Sequence, residues 1–251
     1  MHAFKDHFST LAEAYSRYRP TYPEDLYAWL AEISPNRSRV WDCATGGGQA
    51  ARVLADHFDL VTASDASSDQ IANCTPHPKV AFRVAPAENS GLPDSSVDLI
   101  TVAQAVHWFD FNRFYAEARR VARPGAPIVV WSYAFFSVNE AIDAVIDRYA
   151  NGILGSYWPP ERAFVDNRYR DLPFPFIRIE GPSFQMTRTW KLDHVLGYLT
   201  TWSSRKNYMA EKAEDPLVLV QDALAEAWGP KDQERLVRWP MFYLAGTVQK
   251  P

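Results

Sequence analysis

Residues 40–48 of the 251-residue chain read VWDCATGGG, an apolar run that ends on three consecutive glycines. At 49–58 (QAARVLADHF) the run gives way to apolar residues at helical intervals. A strand, a glycine turn and a helix in that order open a βαβ unit, since a strand buried on both faces needs a crossover helix to bring the chain back parallel. The rhythm continues beyond it. Strand-like segments at 60–64, 80–84, 97–103 (VDLITVA) and 127–131 (PIVVW) alternate with helical ones at 69–74 and 113–121, and Pro124-Gly125 marks a turn. The first half is therefore expected to be a doubly wound α/β domain built on a parallel sheet. Ahead of it, 22–33 (YPEDLYAWLAEI) begins with Pro and acidic residues and sets Leu26, Trp29, Leu30 and Ile33 on one helical face.

From Phe135 the alternation breaks. A helical stretch at 139–150 leads into an aromatic, Pro- and Arg-rich stretch at 156–176 (SYWPPERAFVDNRYRDLPFPF), with no glycine-rich linker to mark an independent domain. The expectation is an insertion that covers the sheet and the active site. Strand-like segments at 184–191 and 241–248, with helices at 194–203 and 217–228 between them, should complete the sheet as an antiparallel edge hairpin, for about seven strands in all. The chain then divides into an N-terminal helical lid (1–35), a cofactor-binding α/β core (36–135), the substrate-covering insertion (136–182) and a C-terminal part that completes the sheet (183–251).

Composition narrows the function classes. With 47% hydrophobic and 22% charged residues the chain is an ordinary globular one, but 9 Trp, 12 Tyr and 14 Phe exceed routine core filling, so some of these rings should line a pocket. The net charge is −4 and Lys and Arg are scattered, which disfavours nucleic acid and anionic membrane as partners. The N-terminus has no apolar run of signal-peptide length and no apolar segment reaches roughly 18 residues, so the expected location is the cytoplasm. Cys43 and Cys74 lack metal-site or redox spacing and read as reduced structural thiols.

The glycine turn lies where ligands bind in open α/β sheets, beyond the carboxyl end of a strand. It does not suit a pyrophosphate. Ala44-x-Gly46-x-Gly48 follows Asp42, and a carboxylate there repels phosphate but attracts a ligand with ammonium and sulfonium groups, to the extent of a few kcal/mol. S-adenosylmethionine is such a ligand. Asp65 ends the next strand, with Ala66 after it, where a carboxylate can accept both hydroxyls of a ribose. The plainer alternative is that Asp42 caps a turn and Asp65 begins one.

With these residues in place, about residues 4–133 resemble a class I S-adenosylmethionine-dependent methyltransferase of the type 11 kind, near the trans-aconitate methyltransferase-like group, which implies a Rossmann-like fold. The resemblance rests first on the D-x-G-x-G-x-G loop, matched by Asp42, Gly46 and Gly48 with Ala44 in place of the first glycine. It implies that Ala87 and Glu88 meet adenine, although Pro86 departs from the acidic residue often found there. Gln104 and Ala105 open a stretch, QAVHWF, that is similar to the AQAxHWF signature of the subgroup, and 120–125 (RVARPG) resembles its R-V-x-x-P-G turn. Upstream, 15–23 (YSRYRPTYP) resembles an element that closes over the cofactor. Tyr15 and Tyr22 could supply an aromatic lid there, Tyr22 on the substrate side, and Arg19 could pair with the methionine carboxylate.

Methyl transfer is an in-line displacement that requires alignment and exclusion of water, not a metal. His107, after the fourth strand, is the candidate general base, or else it orients a loop. Trp108, Trp158 and Arg162 are candidate substrate contacts. Arg168, Tyr169 and Arg170 lie in the same inserted segment, where guanidinium groups would suit an anionic acceptor. The resemblance suggests a small-molecule acceptor, with a carboxylic acid foremost. A cofactor-binding protein without catalysis and a nicotinamide-dependent oxidoreductase are the alternatives, and oligomeric state is not legible.

Overall fold

The computed structural model describes residues 18–249. Tyr15 lies outside them. Helix α1 (Glu24–Ile33) leads into β1 (Arg39–Cys43), α2 (Gln49–His57), β2 (Leu60–Asp65), the short α3 (Ser68–Ala72), β3 (Val80–Val84), β4 (Leu99–Ala103), α4 (Phe111–Val121) and β5 (Pro127–Tyr133). Then come α5 (Glu140–Asp147), prolonged as a π-helical turn (Arg148–Ile153), α6 (Arg162–Asp166), β6 (Ile177–Arg178), β7 (Gln185–Trp190), α7 (Leu192–Thr200), α8 (Ser203–Lys212), α9 (Gln221–Trp228) and β8 (Arg235–Thr247).

One eight-stranded sheet runs β3-β2-β1-β4-β5-β8-β6, with β7 paired to β8 off that path. Strands β1 to β5 are parallel and the pairings made by β8 are antiparallel. The α/β class and the mostly parallel sheet thus follow the sequence pattern. Pleating divides the core between the two faces. On β5, Ile128 and Val130 join the cluster under α4, and Val129 and Trp131 join the one under α1 and α2. Both faces are covered, as a parallel sheet requires.

The C-terminal edge differs in detail from the expected hairpin. Strand β8 is 13 residues long and starts at Arg235, six residues earlier than the 241–248 reading, because Pro240 sits inside the strand opposite Gln185. Its partner strand is broken in two. Strand β6 pairs at Ile177↔Thr247 and β7 at Gln185↔Pro240. Gly181-Pro182 interrupts the ladder between them, where proline has no N–H to give. That break turns about seven strands into eight.

The N-terminal half of β8 leaves the main sheet and carries a second core, in which Tyr149, Leu154, Tyr198, Trp202, Trp228 and Trp239 pack together. The cover over the sheet therefore draws on α7–α9 as well as on α5 and its π-helical extension. Among the described residues no helix is long and apolar enough to cross a membrane.

Candidate active site

The carboxyl ends of β1, β2 and β3 converge on the glycine turn. Thr45 N–H donates to the Ser64 carbonyl (2.9 Å) and Gly48 N–H to the Thr45 carbonyl (3.0 Å), which folds the turn back over β2. Gly46 (φ +55°) and Gly48 (φ +75°) are left-handed, and a Cβ on Gly48 would stand 2.8 Å from the Phe82 ring. A Cβ at Gly46 or Gly47 would meet no described residue within 4 Å. Ala44, in the position where the related loop has glycine, is itself left-handed at φ 54°. That conformation costs a residue with a Cβ about 1 kcal/mol or more.

Asp42 lies beneath the turn, 1% exposed. One carboxylate oxygen accepts from the Thr45 hydroxyl (2.6 Å) and the other from the Thr101 hydroxyl (2.8 Å). Burial, opposed by those two hydrogen bonds and assisted by the charge of Asp65, raises its pKa from 3.8 to about 6. Asp65, at the end of β2, accepts from Gly46 N–H (2.9 Å) and Ser67 N–H (2.9 Å). Half-buried Ala66 follows it. Ala87 is buried after β3, and Glu88 accepts from Asp110 N–H (3.1 Å) to tie that loop to the start of α4. The Cys74 thiol donates to the Gly46 carbonyl (3.3 Å); both cysteines are free thiols. Among the described residues no His, Cys, Asp and Glu group could hold a metal ion.

An open cavity of about 100 Å³ lies between the end of β4 and the helical cover. Arg19, Gln104, His107, Trp108, Trp158 and Arg162 all line it, so six residues singled out in the sequence meet at one wall. Arg19 donates to the Tyr133 hydroxyl (2.8 Å) and the Thr201 hydroxyl (3.1 Å) and lies over the Tyr198 ring. The Arg162 guanidinium stands 4.3 Å from the ring centres of both Phe135 and Trp158, and Asp166 holds it from behind (2.9 Å). Trp158 donates its indole N–H to the Ala150 carbonyl (2.8 Å), which fixes the ring. Ala105, half-buried, starts the turn that carries His107 and Trp108. Tyr22 stays outside the cavity lining: its ring packs edge-on against Trp131 and tilted against Tyr133, behind the cavity wall.

His107 is buried and meets the Tyr169 hydroxyl through Nδ1 (3.2 Å). Burial, reinforced by the Arg162 charge, lowers its pKa to about 3. The ring is therefore neutral at physiological pH and a weak base.

The sequence reading passed over Thr101, Tyr133, Tyr198 and Trp202. Thr101 is the one polar residue of the apolar run LITVA, and parallel register sets it beside Asp42. Tyr198 lies in the last turn of α7 and Trp202 two residues beyond its end, their rings edge-on at 6.1 Å. Thr101 carried a usable signal.

Comparison with known proteins shows the family. A family of methyltransferase domains matches residues 41–130. A methyltransferase-named protein of Dictyostelium discoideum is 31% identical over 248 residues, which cover 96% of this chain and 94% of that protein. An uncharacterised methyltransferase of Mycobacterium tuberculosis is 34% identical over 72% of this chain and 70% of its own length. A solved structure from Anaeromyxobacter dehalogenans, named as a type II methyltransferase, superposes with a TM-score of 0.87 at 44% identity, covering 93% of this chain and 100% of that one. The chain belongs to the class I S-adenosylmethionine-dependent methyltransferases, with S-adenosylmethionine as its cofactor.

Proposed function

We propose that the chain transfers a methyl group to a small anionic acceptor, a carboxylic acid, held in the cavity between β4 and the helical cover. The observation that carries this reading is the charge of the cavity: among the described residues that line it are Arg19 and Arg162 and no carboxylate, and most of the remaining wall is aromatic. An acceptor with an anionic end and an apolar body suits that wall. Bound at the glycine turn, S-adenosylmethionine supplies an electrophilic methyl.

In this reading Asp65 accepts the ribose hydroxyls, Ala87 and Glu88 flank the adenine, and Asp42 contributes its charge from beneath Ala44, Gly46 and Gly48. Gln104 and Ala105 stand where the two sites meet. Arg162, stiffened between two rings, takes the acceptor anion, and Arg19 adds a second cation on the same side. Trp108 and Trp158 wall the cavity and exclude water. A carboxylate is already a nucleophile, so the weak basicity of His107 is no obstacle. A small cavity walled by aromatic rings suits a small molecule in the cytoplasm, and the scattered basic residues offer no track for nucleic acid.

The test is transfer of labelled methyl from the cofactor to a panel of small carboxylic acids, amines and phenols, with products identified by mass. Base-labile methyl esters are the expected result. Transfer confined to amines or to neutral acceptors would overturn the carboxylic acid reading, and cofactor binding with no transfer to any member would favour a binding protein without catalysis.

A further inference from the structure

The loop between β3 and β4 is tied to α4 in both directions. Ser90 is 1% exposed, and every polar group it has is engaged. Its N–H (2.8 Å) and its hydroxyl (2.5 Å) donate to the same carboxylate oxygen of Glu117, its Oγ accepts from Leu92 N–H (3.1 Å), and its carbonyl accepts from Arg83 (3.1 Å). Glu117 is buried on α4, where Arg120 donates to both of its oxygens (2.7 Å each) and also to Asp94 (2.6 Å). At Glu88 the direction reverses: its carboxylate reaches out of the loop to accept from the N–H of Asp110, the cap of the same helix (3.1 Å). Asp110 and Glu117 are two turns apart on one face of α4, so the loop is pinned at points about 10 Å apart.

Hydrophobic packing would join loop to helix as well, without burying a carboxylate. What the hydrogen bonds add is one fixed course for the backbone of residues 86–92. That course leaves donors over. Among the described residues nothing accepts from the N–H of Ala87 or from that of Glu88, although Ala87 is buried. Buried N–H groups are almost always paired, so bare ones point to a ligand. They lie just beyond the end of β3, where Val84 is the register partner of Asp65 and Ala85 N–H donates to the Asp65 carbonyl (2.9 Å).

We propose that Ser90 and Glu117 are positioning residues that hold the N–H groups of Ala87 and Glu88 in place to read the base of the cofactor, and so set its preference for adenine. The proposal rests on the reading of Ala87 and Glu88 as flanking the adenine. Adenine N1 is an acceptor and matches an N–H donor, whereas N1 of hypoxanthine carries a hydrogen and opposes one. A fixed donor discriminates between the two bases. A loop free to move aside does not.

The experiment is isothermal titration of the full-length protein near pH 7 with S-adenosylhomocysteine and with S-inosylhomocysteine, its counterpart with hypoxanthine as the base. The parent should bind the adenine form more tightly, by at least roughly tenfold. Glu117→Leu and Ser90→Ala should each weaken the adenine form by roughly 3- to 10-fold and the hypoxanthine form much less, so the ratio falls toward one. Glu117→Gln keeps an oxygen for Ser90 but loses the charge that faces Arg120; it should unfold at a lower temperature and still hold the ratio within roughly twofold of the parent. Ser90→Ala removes only a hydroxyl, and it carries the test if Glu117→Leu does not fold. A ratio unchanged in Ser90→Ala, or a loss shared equally by the two ligands as a general loosening of the fold would produce, overturns the proposal. A parent that does not distinguish the two bases removes the adenine reading of Ala87 and Glu88 first, and the proposal with it.

Discussion

Replacing Asp42 by Asn separates what its charge costs the fold from what it gives the cofactor. Its pKa rises from 3.8 to about 6 on folding, and at 1.36 kcal/mol per pH unit the ionised form costs the folded protein about 3 kcal/mol. The sign follows from the raised value. Stability from this group is fully present below about pH 4, declines as pH rises toward 6, and stays lost above it. Asn keeps a partner for the hydroxyls of Thr45 and Thr101 without ionising, so at pH 8 the unliganded variant should be as stable as the parent or more so, by up to ~3 kcal/mol. Cofactor affinity should move the other way. A unit charge a few ångströms from a cation, at an effective dielectric of ~20, contributes about 3 kcal/mol, or roughly a hundredfold in Kd. In the parent, affinity should be level near pH 7 and fall toward tenfold per pH unit below 6; the variant should show no such slope. The assay is urea unfolding at pH 5 and pH 8 together with isothermal titration of S-adenosylmethionine from pH 5 to 7, below the range where the ligand's own amino group titrates. A variant that binds the cofactor as tightly as the parent at pH 7 would refute the charge argument, whatever its stability.

The other predictions concern single contacts. Asp65→Ala removes the acceptor for Gly46 N–H and Ser67 N–H and should weaken cofactor binding roughly 10- to 100-fold by titration; unchanged affinity would remove the ribose role. Gly48→Ala sets a methyl 2.8 Å from the Phe82 ring on a left-handed backbone, which should cost about 2 kcal/mol and lower Tm by roughly 4–8 °C. Ala44→Gly relieves the same kind of strain and should be neutral or stabilising by up to ~1 kcal/mol in denaturant unfolding, the opposite of Ala→Gly within a helix. Arg162→Met fills the space between Phe135 and Trp158 without a charge, so KM for an anionic acceptor should rise at least tenfold while cofactor Kd stays within twofold.

Periodicity made the sheet legible because each strand of the parallel core is a short apolar run bounded by a turn. The cofactor side was legible for a related reason. Asp42, Gly46, Gly48 and Asp65 lie within about 25 residues of one another, so local sequence carries their geometry. The acceptor side is assembled from afar. Arg19 reaches Thr201 across 182 positions and His107 reaches Tyr169 across 62, and no local pattern encodes contacts of that span. Length misled at β8, where Pro240 reads as a strand end but sits within a strand whose pairing changes from β7 to β5 around it. At His107 position after β4 suggests a base, and its burial and the Arg162 charge, both tertiary facts that the sequence does not display, lower its pKa to about 3.

The two halves of the site carry opposite charge, and the proposed reaction uses the difference. Asp42 and Asp65 are hydrogen-bonded to the glycine turn, and Arg19, Arg162 and Gln104 line the cavity. Transfer from a sulfonium to a carboxylate turns a cation and an anion into an uncharged thioether and an uncharged ester. Opposite charges that approach one another in a cavity walled by aromatic rings attract far more strongly than in water, so the approach is favoured where water is excluded. Once the methyl has moved, the ester no longer engages Arg162 as an anion, and Asp42 faces one cation fewer. At 1% exposure Asp42 then bears its burial cost with less compensation, and a pKa near 6 lets it respond by holding a proton for part of the time at neutral pH. The same buried carboxylate that favours the charged cofactor therefore disfavours retention of its spent form, and the ratio of the two Kd values should shrink in Asp42→Asn.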